Sequence, residues 1–120
     1  MHMLTLLQRA SFISLLVLAL QPAHAAEPNQ MDDMYAKMCV SAADMPKPHG
    51  EWDLKGNPKL QQYCGCFSEL FAARAMKAAQ AMQQNGGKPR GTLEEHTKEE
   101  LAMRNACRKK VSLPEVPGAK

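Results

Sequence analysis

The sequence has little of what most catalytic readings need. It holds three Phe, two Tyr and one Trp, so aromatic residues make up 5% of 120 positions. It contains no Cys-x-x-Cys, no Cys-x-x-Cys-His haem attachment and no cysteine–histidine spacing of the zinc type. It has no His-Glu-x-x-His helix, phosphate loop or nucleophile elbow. Hydrolytic and transfer chemistry therefore has no motif to rest on. Charge of one sign is also scarce: fifteen Lys and Arg oppose twelve Asp and Glu, for a formal net charge of +3. A nucleic-acid-binding domain would be expected to cluster its basic residues on one face, and no such cluster is visible. Segments of strand period are absent, and so are internal repeats.

Only one apolar run is long, from Ser11 to Leu20, and its setting gives it a meaning. Arg9 precedes it, Gln21-Pro22 ends it, and Ala23-His24-Ala25 offers small residues at −3 and −1. This is the pattern of a secretory signal peptide over residues 1–25, cleaved before Ala26. The run is shorter than the roughly 20 residues a spanning helix needs. No stable membrane anchor is expected after cleavage, and the mature chain is expected in the periplasm or outside the cell. An exported domain of this size builds a marginal core and needs staples. The four cysteines, all beyond residue 26, fit that need.

Three helices are expected. Met31, Met34, Tyr35, Met38, Cys39 and Ala42 recur at spacings of three and four, which predicts a first helix over about 30–44 with Asn29 as its cap. Asp32 and Asp33 then fall in its first turn. Pro46 and Pro48 forbid continuation. Residues 45–57 form a loop holding Trp52 and Leu54, which either close one end of the core or offer an anchor to a partner. Asn57-Pro58 starts a second helix running to about Gln84, where Asn85-Gly86-Gly87 stops it. Its stripe is Leu60, Cys64, Phe67, Phe71, Ala75, Ala78 and Met82. Gly65 is the weak point inside it, explained by a close backbone neighbour or by relief beside two crosslinks. Thr92 with Glu95 predicts a capping box and a third helix over about 93–110, with Arg108, Lys109 and Lys110 at the negative end of its dipole. Residues 112–120 read as a flexible tail after a domain spanning 26–111.

The cysteines organise this chain. Residues 64 and 66 lie about 200° apart around a helix, at ~100° per residue. They point to different neighbours, and Cys39 and Cys107 are the partners available. Cys39 lies near the end of the first helix and Cys64 near the start of the second, so an antiparallel pair would bring them level. This favours Cys39–Cys64 with Cys66–Cys107 over the swapped arrangement.

The expectation is an all-α three-helix bundle stapled by two disulfides, without enzymatic activity and without a cofactor. Its partner would be another protein: an inhibitor or immunity-type contact, or a place as an accessory subunit, using Trp52 and Leu54 or the exposed face of the third helix. The alternative from another class is copper binding or thiol redox exchange, through Cys64-Gly65-Cys66 and the thioethers of Met31, Met34 and Met38. The acidic pairs Glu94, Glu95, Glu99 and Glu100 read as a solvated face beside Lys98 and Arg104.

Overall fold

The computed structural model describes residues 27–118. The expected signal peptide, residues 1–25, lies outside them. The described residues are all-helical, in the order α1 (Pro28–Ser41), α2 (Leu60–Gln84) and α3 (Leu93–Lys110), with 3-10 turns at Ala42–Asp44 and Trp52–Leu54. No helix among them is long and apolar enough to cross a membrane.

Local chemistry sets most helix ends. α1 begins two residues earlier than its periodicity suggests, because Pro28 takes the first helical position, where a missing N–H costs nothing. Asn29 is therefore inside the helix and not its cap, and Asp32 and Asp33 fall beyond the first turn. α2 begins two residues later than Asn57-Pro58 suggests: Lys59 holds its cap position without a side-chain bond, and the Asn57 side chain accepts from the Lys59 N–H at 2.9 Å in the turn that precedes the helix. At its end Gly86 and Gly87 adopt φ of +63° and +82°, and the Gly87 N–H reaches back to the Met82 carbonyl at 2.9 Å. The capping box of α3 is complete. The Glu95 N–H donates to Thr92 Oγ1 at 3.2 Å, and the Thr92 N–H donates to Glu95 Oε2 at 2.7 Å.

Two disulfides, Cys39–Cys64 and Cys66–Cys107, bind α1 and α3 to the beginning of α2. Their Cα atoms are 5.6 and 5.7 Å apart. Both flanking helices therefore run antiparallel to α2. Gly65, between the two crosslinks, is exposed, and a Cβ there would meet nothing within 4 Å. Close backbone approach does not explain this glycine.

The core occupies one end of the bundle, where α1 ends, α2 begins and α3 ends. It comprises Cys39, Leu54, Tyr63, Cys64, Cys107 and Val111, flanked by partly buried Val40, Leu60, Phe67 and Leu113. Leu113 and the Val116 N–H, which donates to Asn105 at 2.9 Å, dock the first part of the expected tail onto the domain. The methionine stripe of α1 is not core filler: Met34 and Met38 are exposed. The α2 stripe is buried only in its first half, and Ala78 and Met82 reach the surface.

Candidate functional site

Two features could carry function: a buried charge network at the crosslinked end, and an open apolar groove at the other. The network begins with the residues around the second 3-10 turn. Glu51 is buried, and its carboxylate joins α2 to α3. Oε1 accepts from the Tyr63 hydroxyl at 2.7 Å and from Arg104 Nε at 2.8 Å. Oε2 accepts from Arg108 Nη2 at 2.5 Å. Arg108, 0% exposed, also donates to both Asp53 oxygens, at 2.7 and 3.0 Å, and to the Pro114 carbonyl at 3.3 Å. Arg104 adds a bond to the Gly50 carbonyl at 2.8 Å. Gly50 itself leaves no space for a side chain, since a Cβ would lie 2.4 Å from the Ala42 carbonyl oxygen.

Expectation and structure part at Arg108. Its position in the last turn of α3 suits a solvated cation facing the helix dipole, as Lys109 and Lys110 are. The structure turns it inward because two carboxylates of the 51–53 segment sit behind it. Burial works against its charge, but the hydrogen bonds to Asp53 and Glu51 outweigh that and raise its pKa. The bonds from Arg108 in turn hold the Asp53 carboxyl below its ordinary range. Burial, with Glu51 beside it, pushes the Tyr63 hydroxyl up.

This gives a pH dependence with a definite sign. A carboxyl depressed in the folded state stabilises the fold above its unfolded pKa, about 3.9, and loses that contribution as pH falls through the folded value. We expect the melting temperature to fall as pH drops below about 4, and Asp53→Asn to flatten that slope. Melting curves between pH 2 and 6 check this, and an identical acid slope in the variant would remove Asp53 from the account.

Trp52 and Leu54 belong to the same turn and have different fates. Leu54 is 1% exposed and packs in the core, which leaves it no surface to offer a partner. Trp52 is half-buried, with Lys47 Nζ 4.4 Å from its ring centroid. Residues 50–53 are thus tied to α2 through Tyr63 and to α3 through Arg104 and Arg108, whereas residues 45–49 are exposed.

The other end of the molecule is open. Beyond the disulfides α3 touches α2 sparingly, and a groove of about 810 Å³ runs between them. Its walls include Leu70, Phe71, Ala75, Ala78, Met82 and Met103. Arg74 bridges it, donating to Glu99 at 2.7 Å and to His96 Nδ1 at 2.6 Å. Lys77 and Arg90 stand along the groove and have no ion-pair partner among the described residues. Leu93, at the start of α3, is 83% exposed.

All four cysteines are in disulfides, and Cys39, Cys64 and Cys107 are buried. Among the described residues no three His, Cys, Asp or Glu converge as metal ligands. No protein-family model, curated protein or solved structure matches the chain.

Proposed function

We propose that this chain is a small exported interaction module that takes an apolar surface of another protein into the groove between α2 and α3. The observation that carries this reading is the fate of the α2 stripe. Its apolar residues continue at helical spacing past Phe71, yet Ala78 and Met82 have no core to enter. A contiguous apolar surface with a polar rim is characteristic of interaction sites. Lys77 and Arg90 make an acidic flank the complementary feature on the partner. The buried network supports the same reading, since it fixes the bundle end and leaves the groove as a preformed surface.

The copper and thiol-exchange alternative needs a thiolate. The paired and mostly buried sulfurs favour a structural role for the cysteines instead. The exposed Met34 and Met38 are thioethers without a thiolate beside them in this structure.

The test is crosslinked capture from the periplasmic fraction, comparing the natural chain with Ala78→Glu/Met82→Glu and with Trp52→Ala. Both groove positions are exposed, so the double variant is expected to keep its circular dichroism and to lose about tenfold or more of the captured partner, since charges would be forced against an apolar surface. Capture that survives this variant and fails with Trp52→Ala would move the docking surface to the 45–57 loop. Absence of a captured partner with the natural chain would overturn the interaction reading.

A further inference from the structure

A second cavity, of about 290 Å³, lies between α1, α2 and the segment around Gly50. Three aromatic residues line it together: Tyr35, Phe67 and Phe71. The Tyr35 and Phe71 rings meet edge to face with centroids 4.8 Å apart, and Phe67 and Phe71 lie 5.3 Å apart. Met38 and Met45, both exposed, add soft thioethers to the lining. These five residues would make an apolar hole were it not for its polar side.

That side is formed by Glu51, Arg104 and Glu100. Glu51 and Arg104 neutralise one another at 2.8 Å, and Arg104 also donates to the Gly50 carbonyl. Behind them Arg108 is matched by Asp53 and by the second oxygen of Glu51. Glu100 has no ion-pair partner among the described residues and is only half exposed. Counting the groups connected to this cavity, three carboxylates face two guanidiniums, and the uncompensated charge is negative.

We propose that this cavity binds a small organic cation of the quaternary or methylated ammonium class. Aromatic groups attract such cations through the ring quadrupole, and desolvation strengthens the attraction. Glu100 supplies the counter-charge. The volume lies at the small end of ligand pockets and admits a methylated ammonium head rather than a drug-sized molecule. Anionic ligands are disfavoured because Arg104, the cation in the lining, already serves Glu51 and the Gly50 carbonyl. The cavity shares Tyr35 and Phe71 with the groove, but its polar residues Glu51, Glu100 and Arg104 do not line the groove.

The probes are tetramethylammonium and choline, titrated into the full mature protein and followed by proton–nitrogen correlation spectra. Neutral 3,3-dimethylbutanol, the isostere of choline, is the control. Saturable shifts at Tyr35, Phe67 and Phe71 are expected with both cations and not with the alcohol. Glu100→Gln should weaken cation binding about tenfold, as loss of one charge at contact range implies. Among the described residues Glu100 makes no side-chain hydrogen bond or ion pair, so the variant is expected to fold, and its unperturbed spectrum verifies that. Co-sedimentation with phosphatidylcholine vesicles, competed by free choline, distinguishes a lipid headgroup from a free solute as the source. Equal shifts from the alcohol and the cations, no saturable shift with any probe, or unchanged cation affinity in Glu100→Gln would each overturn the proposal.

Discussion

Arg108→Met is expected to lower the melting temperature by about 15 °C or more. The guanidinium is 0% exposed and is held by Glu51 and Asp53. Removing it leaves buried Glu51 with Arg104 alone, and partly buried Asp53 without the one ion-pair partner it has among the described residues. Breaking a buried pair from one side costs about 3–5 kcal/mol. A domain of this size can hold as little as about 5 kcal/mol in total, and each kcal/mol moves its midpoint by roughly 4–8 °C. Arg108 also ties the Pro114 carbonyl, so the variant should release residues 113–116 to faster amide exchange. Arg108→Lys, which keeps a charge and loses the planar fork, should fall between the two. Thermal melts by circular dichroism check the series. A shift below about 5 °C for Arg108→Met would mean that the network contributes little to the fold.

The second large effect is expected from the Cys66–Cys107 bridge. It closes a 41-residue separation, against 25 for Cys39–Cys64. In the chain-entropy account these correspond to about 4 and about 3.5 kcal/mol. The longer bridge matters more for another reason. Beyond it, α3 is fixed to the rest of the molecule chiefly by Arg104, Arg108 and the Arg74 bridge. We expect Cys66→Ser/Cys107→Ser to lose most of the folded product, and any folded fraction to melt about 15 °C or more below the natural protein. Using the double variant avoids a free thiol that could exchange with the remaining bridge. Because residues 107 and 108 adjoin, the bridge and the Arg108 network are expected to be non-additive in combination. Unchanged melting of the double variant would make the bridge dispensable. Peptide mapping under non-reducing conditions checks the pairing itself.

Helix number, the limits of α3 and its capping were legible because their signals are local, whereas the starts of α1 and α2 each lie two residues from where the sequence places them. A proline, an asparagine and a pair of glycines act on the backbone within three or four residues, and the Thr92–Glu95 box closes over the same distance. The methionine stripe of α1 misleads for a complementary reason. Helical spacing marks a face, but not whether anything covers it. Here Met34 and Met38 remain exposed, Cys39 and Ala43 are buried, and the second half of the α2 stripe also reaches the surface.

The charge network had no comparable signal. Glu51 and Arg108 are 57 residues apart, and Asp53 and Arg108 are 55 apart. Each, taken alone, suits solvent: an acid in a Pro- and Gly-rich loop, and a base in the last turn of a helix. Their only clue is that Trp52 and Leu54, on either side of Asp53, are too apolar for a free linker. The segment had to pack, and its acids had to go in with it.

By itself, then, the sequence determined an all-helical fold for the described residues, the approximate extent of its three helices, and a need for covalent staples in so small a core. The tertiary structure alone decided which charges enter that core, which apolar faces stay open, and how a cavity with one unmatched carboxylate forms beside three aromatic rings. The physical reason is range. Backbone capping and periodicity are settled among near neighbours, whereas desolvating a charge is tolerated only where a distant partner arrives to meet it.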